Sequence, residues 1–436
     1  MNKKVSIFWF RRDLRLQDNA GLYHALKTDH PVLPIFIFDT EILQSLPKND
    51  ARVSFIYESL QALQNNLEEN YGSSIAIYHG KPLDTFRSLL NQFDIQAVYC
   101  NTDYEPYAQT RDDEIRDELN LRNIEFKSFK DQVIFEKNEI VKDDGTPYVV
   151  YTPYMRKWKQ KFHSDQPVME YDSTSYLNQC IKQTNWPDVS LKDMGFIRSD
   201  IVVPAPEVSP SLLNSYEKTR NFPAIDQGTS KLGPHLRFGT VSIRQIVRKS
   251  LNAENETFLN ELIWREFFMQ ILWHFPHTVH KAFKPKYDRI PWRNNEKEFE
   301  KWKNGETGYP LVDAGMRELN ATGFMHNRVR MLVASFLCKH LLIDWRWGEA
   351  YFALKLLDFE LSSNIGNWQW AAGSGVDAAP YFRIFNPITQ VAKFDKQKDY
   401  INKWVPELQE LSYPPMMVDH KSARERCLKV YKEALN

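Results

Sequence analysis

Four short apolar runs near the start of the chain constrain its fold more than any other feature. Residues 4–10 (KVSIFWF), 32–38 (VLPIFIF), 74–78 (SIAIY) and 95–100 (IQAVYC) are dense in branched and aromatic side chains. They scarcely alternate with polar positions, so a strand built from any of them needs apolar cover on both faces. Each is followed by a stretch of helical character, at 19–28, 51–70, 82–93 and 107–120. Helices between consecutive strands supply both that cover and the crossover that parallel pairing demands. Residues 1–130 are therefore predicted to form an α/β domain around a Rossmann-like parallel sheet. No G-x-G-x-x-G follows the first run, so the dinucleotide fingerprint is absent. Arg11-Arg12-Asp13-Leu14-Arg15 stands there instead and reads as a charged loop with internal ion pairs.

The next segment differs. Asp143-Asp144-Gly145 is a turn signal, and Pro147, Pro153, Pro187, Pro204, Pro206 and Pro210 interrupt any periodicity. Residues 131–210 are predicted to be a connector. From 211 to 436 apolar residues recur at helical spacing, most clearly at 256–275, 310–319, 328–342, 348–357 and 422–435. No strand-like alternation breaks this part, so an all-α second domain is expected. A chain of 436 residues is long enough for two cores.

Composition narrows the function. Lys+Arg and Asp+Glu are both 56, so any nucleic-acid footprint must be a local patch. Two candidate patches interleave cations with aromatics: Lys281, Lys284, Lys286, Arg289 and Arg293, then Lys393, Lys396, Lys398 and Lys403. A solvated face is the competing reading, since Asp288, Asp395 and Asp399 dilute both. Cys100, Cys180, Cys338 and Cys427 lack metal-ligand spacing. No metal is expected, and the thiols read as reduced and structural, as in a cytoplasmic protein. The N-terminal apolar run is too short for a signal peptide, and no run approaches a membrane span.

Polar chemistry concentrates in four stretches of the helical half. Residues 357–387 (LDFELSSNIGNWQWAAGSGVDAAPYFRIFNP) bring Asp358, Phe359, Glu360, Asn364, Trp368 and Trp370 together among glycines. Acids, amides and rings at this density suit a ligand site; a Trp-rich packing loop is the plainer alternative. Gly228-Thr229-Ser230-Lys231-Leu232-Gly233 could nest a phosphate, or simply turn, and lacks the Walker order. Glu261 and Arg265 lie one helical turn apart beside Trp264, which also fits a surface ion pair over a core ring. Met325-His326-Asn327-Arg328-Val329-Arg330-Met331 gathers an amide, two arginines and a thioether at a helix start, where His-Asn could be mere capping.

Together these blocks resemble the photolyase/cryptochrome family. The likeness runs from Trp9 to Trp404 and takes in the opening WFRRDLRL, the linker PYVVYTPY, and the pairing of NIGNWQW with DAAPYFRIFNP. It implies bound FAD, in its reduced anionic form when active. Tyr216, Thr229, Ser230, Lys231, Leu232, Gly233, Phe258, Glu261, Arg265, Asn327, Arg330, Asp358, Phe359, Glu360 and Asn364 fall at cofactor positions of the family. Arg220, Glu261, Trp264, Asn327, Arg328, Met331 and Trp370 fall at DNA or lesion positions. Trp368, Trp345 and Trp292 match an electron relay from the flavin outward. Glu261 and Asn364 match positions close to the chemistry. The activity implied is that of a class I photolyase: excited reduced FAD gives an electron to a flipped-out cyclobutane pyrimidine dimer in DNA. A light-signalling cryptochrome is the alternative. The chain ends soon after Trp404, without the extension such proteins usually carry. A monomer is expected.

Departures from the family pattern matter too. Gly233 stands where the family usually has Ser, and Ile365 where a second Asn is usual. Asn327 stands where the branch that repairs (6-4) photoproducts has a second His. The N-terminal domain of the family often holds an antenna chromophore. Folate-binding relatives show Asn-Glu where Tyr107-Ala108 stand, which argues against folate and leaves a deazaflavin, another flavin or none.

Overall fold

The structure, a computed structural model, describes residues 3–436. It divides into two compact units. The first comprises the chain up to Glu139 together with Lys159–Pro206 and Leu232–Asn252; the second comprises Ile140–Trp158, Glu207–Lys231 and Ala253–Asn436.

The first unit is built on a five-stranded sheet: β1 (Lys4–Phe10), β2 (Val32–Asp39), β3 (Ala76–Gly80), β4 (Asp94–Asn101) and β5 (Glu125–Phe129). The order is β3-β2-β1-β4-β5 and every pair is parallel. The two-sided cover expected from the apolar runs is visible in β1. Phe8 and Phe10 enter one core, Val5, Ile7 and Trp9 the other, and all are almost completely buried. Helices Ala51–Tyr71, Pro82–Gln92 and Pro106–Asn120 lie where helical spacing predicts them.

The basic loop after β1 is an ion-pair hub, but its partners are far away in sequence. Arg11 pairs with Asp112, Arg12 with Asp103 and Glu105, and Arg15 with Asp131. Arg244 completes the network through Asp18 and Asp131. Burial alone would raise the Asp131 carboxyl; Arg15 and Arg244 outweigh it and hold the group down at about 2. Asp13 has no such excess of cations, and burial pushes it up to about 6.

In the second unit no strand forms among the described residues. Its core gathers Trp302, Met316, Val333, Phe336, Trp345 and Trp368 from several helices. Those that position the site are Thr257–His274, Asn327–Ser335, Trp345–Lys355 and Leu361–Ala372. The first of these, expected at 256–275, carries apolar residues around most of its circumference, as a helix covered on several sides must. Helix 327–335 widens into a π turn at Phe336–His340, within the helix expected at 328–342. Two glycines permit close packing. A Cβ at Gly348 would run into the Trp368 indole, and one at Gly366 into the Phe268 ring.

Candidate active site

Helical periodicity assembles the site. On helix 257–274, Glu261, Trp264, Arg265 and Phe268 share one face; on helix 327–335, Asn327, Arg330 and Met331 do. Helix 361–372 contributes Asn364, Asn367, Trp368 and Trp370. Two adjoining lobes result. One, a cavity of about 110 Å³, lies between Asn327, Arg330, Met331, Asp358–Glu360, Asn364, Trp368 and Trp370. The other, of about 310 Å³, is walled by Arg220, Glu261, Trp264 and Arg265 and shares Asn327, Met331, Asn367 and Trp370 with the first.

Charged side chains line part of the first lobe. Arg330 grips Asp358 with a two-pronged pair, Nη1 to Oδ1 at 3.1 Å and Nη2 to Oδ2 at 2.9 Å, and donates Nε to the Met325 carbonyl at 2.7 Å. Glu360 lines the lobe, but its carboxyl caps helix 361–372. It accepts from Ser362 N at 3.3 Å, Ser363 N at 2.9 Å and Ser362 Oγ at 2.5 Å.

The second lobe has aromatic walls. The Trp264 indole lies on the Tyr151 ring with centroids 3.6 Å apart and planes within 9°. Glu261 accepts from Arg220 at 2.5 Å. Burial nevertheless pushes the Glu261 carboxyl up from its ordinary value, against the pull of Arg220.

A cationic cluster surrounds His326. Burial and then Lys231, Arg330, Arg328 and Arg220 push this imidazole down to about 3. The neutral ring accepts at Nδ1 from Arg328 N and so caps its helix, while Nε2 is buried without a partner. Lys231 and Arg328 form no ion pair among the described residues. Lys231 Nζ sits 3.8 Å over the Phe324 ring, and Arg328 lies over Phe394 at 4.5 Å and donates to Asn221. The Thr229 hydroxyl is likewise buried without a partner. Unpaired cations and an orphaned hydroxyl are what a bound diphosphate would need.

Several expected residues lie off the two lobes. Tyr216 and Phe258 pack edge to face at 5.0 Å, and burial holds the Tyr216 phenol up at about 12. Ser230 and Lys231 belong to the second unit, whereas Leu232 and Gly233 belong to the first. Of the three relay candidates, Trp368 lines the cavity and Trp345 is buried. Trp292 is partly buried and meets Tyr431 edge to face at 6.0 Å. Trp368 touches the rings of Phe352 and Trp302, at 5.0 and 6.2 Å, rather than that of Trp345. Sequence reading passed over Asn367, although it lies one turn beyond Asn364, and passed over Tyr151, which nothing local ties to Trp264.

Comparison with known proteins gives a consistent picture. Residues 258–412 match the FAD binding domain of DNA photolyase, and residues 6–171 match the DNA photolyase domain. A deoxyribodipyrimidine photo-lyase from Agrobacterium fabrum is 37% identical, with 98% of this chain and 97% of that protein aligned. The solved structure of a bacterial class III photolyase from Agrobacterium tumefaciens superposes with a TM-score of 0.88 at 35% identity, covering 100% of this chain and 98% of the other. A cryptochrome from Synechocystis gives a TM-score of 0.85 at 26% identity over 99% of each chain.

Proposed function

Since the chain belongs to the photolyase/cryptochrome family, we propose that it repairs cyclobutane pyrimidine dimers in DNA under blue or near-UV light. The observation that carries this reading is the pair of adjoining lobes: an acid- and amide-lined cavity opens beside an aromatic-walled one, with Asn327, Met331 and Trp370 common to both. FAD bound in the first lobe would supply light absorption and a transferable electron. Arg330, Asp358 and Asn364 would hold and orient its ring system, and Thr229, Ser230, Lys231 and Arg265 its diphosphate.

A dimer inside a duplex cannot reach the first lobe, so the damaged pair must leave the stack, which costs less at a lesion than at intact bases. The second lobe suits such a guest. Trp264, Trp370 and Met331 give apolar walls, and Glu261 and Asn327 offer hydrogen bonds to base edges. Tyr151 keeps the Trp264 plane from swinging. Opening a cyclobutane dimer needs no net proton transfer. The site agrees with that, because His326 is neutral and engaged in capping, and Asn327 cannot act as an acid. Trp368, Trp345 and Trp292 would pass electrons inward to restore the reduced cofactor.

The test is to illuminate reduced protein with dimer-bearing oligonucleotide and to count restored thymines against a dark control. Restoration only in the light is expected. A light-signalling role without repair predicts none.

A further inference from the structure

A cavity in the first unit shares no residue with the two lobes and, at about 440 Å³, is larger than either. It lies between the loop after β1 at residues 14–18, the C-terminal half of helix Ala51–Tyr71 and the start of helix Ile243–Leu251. Its buried ionic groups are already engaged. Asp18 accepts from Arg244 Nε at 2.8 Å, from Tyr171 N at 2.8 Å and from the Ser242 hydroxyl. Arg15 Nη2 donates to both Asp131 oxygens, at 2.8 and 2.7 Å. No lining charge there calls for a metal or a counter-ion. The amides differ. The Gln17, Asn66 and Gln245 side chains and the Tyr71 phenol line the cavity and make no hydrogen bond among the described residues. Between them stand apolar walls, of which Leu14, Leu16 and Leu177 are buried.

One cation on the lining is only loosely held. Arg248 Nη1 donates to the Met169 carbonyl at 2.8 Å and pairs with Glu170 at 2.7 Å, with side chains 34% and 53% exposed. A pair this wet contributes little, so an incoming anion can take the place of Glu170. A purely apolar guest would leave the amides unmatched, and a sugar would leave the leucine walls unmatched. A planar base satisfies both, because a side-chain amide sets a donor and an acceptor in one plane, as a base edge does. The volume is in the range of small-molecule sites.

We propose that this cavity binds a free mononucleotide, with its base between the leucines and Tyr71, its base edge against Asn66 and Gln245, and its phosphate on Arg248.

The experiment is a calorimetric titration of the FAD-loaded protein with AMP and with UMP, so that the flavin site is already filled. Binding of one equivalent of at least one of them is expected. Asn66→Ala and Gln245→Ala should each weaken it about fivefold. Arg248→Ala should weaken the mononucleotide about tenfold and leave the matching nucleoside unchanged. Asn66→Trp places a ring in the cavity from an exposed helix position, where folding tolerates it, and should abolish binding. Trp264→Ala, which alters the second lobe, should change nothing. Absence of binding by both nucleotides, wild-type affinity in Asn66→Trp, loss in Trp264→Ala, or equal affinity for ribose 5-phosphate would each overturn the proposal. A single-stranded oligonucleotide that binds more tightly than the mononucleotide and is lost in Asn66→Trp would assign the cavity to nucleic acid and equally overturn it.

Discussion

Asp358→Ala tests the charged wall of the first lobe. Asp358 and Arg330 are both mostly buried, with side chains 17% and 24% exposed, and share two charge-assisted hydrogen bonds. Removing the carboxylate leaves the guanidinium fork facing a cavity with only the Met325 carbonyl as partner. Hydrogen bonds to charged groups contribute roughly 1.5–3 kcal/mol each, and stranding one partner of a buried pair costs about 3–5 kcal/mol. The Met325 contact and partial solvation place this case at the low end, about 3 kcal/mol. If that loss falls on cofactor binding, affinity drops about 150-fold, at 1.4 kcal/mol per decade. Asp358→Asn keeps the shape and one acceptor and should lose about 1 kcal/mol. The assay is the flavin-to-protein absorbance ratio after purification, followed by titration of apoprotein with FAD. Asp358→Ala protein that retains one FAD per chain with wild-type affinity would refute the reasoning.

Other predictions test separate parts of the account. Trp368→Phe should stop light-driven reduction of oxidised FAD yet leave repair by chemically pre-reduced protein intact; transient absorption and lesion assays on one preparation separate the two. Gly348→Ala should lower stability by about 1–3 kcal/mol, since its methyl group meets the Trp368 indole, and a thermal melt reads this directly. His326 is held at about 3, against 6.5 ordinarily, so the unfolded chain binds a proton between those values that the folded chain does not. Stability from this residue is therefore full above pH 6.5 and is lost as pH falls toward 3, by about 2 kcal/mol at pH 5. Unfolding free energies from urea melts at pH 5 and 7.5 should differ less by that amount in His326→Asn, which keeps a capping oxygen.

How much of this was legible in the sequence depended on whether the cause was local. The inner strands were legible because burial on both faces writes a continuous apolar run. β5, Glu125–Phe129, was not: it is an edge strand whose residues are partly exposed, and EFKSF carries no such run. The helix Tyr151–Asp165 was hidden by Pro153, which looked like a breaker but sits in the first turn, where the missing N–H costs nothing. The shared face of Glu261, Trp264 and Arg265 followed from helical period alone. The long-range partners did not. Nothing near Trp264 announces Tyr151. The cations that neutralise His326 come from separate stretches of chain. Glu360 illustrates the opposite case: its chemistry suited a ligand, but its place before Ser362 and Ser363 made it a helix cap.

The most direct measurement uses two oligonucleotides, one with a single cyclobutane thymine dimer and one with a single (6-4) photoproduct, each illuminated with pre-reduced protein and scored for restored thymines. An aromatic-walled lobe, an amide at Asn327 and a neutral, capping His326 predict restoration of the dimer and none of the (6-4) lesion. Restored thymines from the (6-4) substrate, or none from the dimer, would contradict the account.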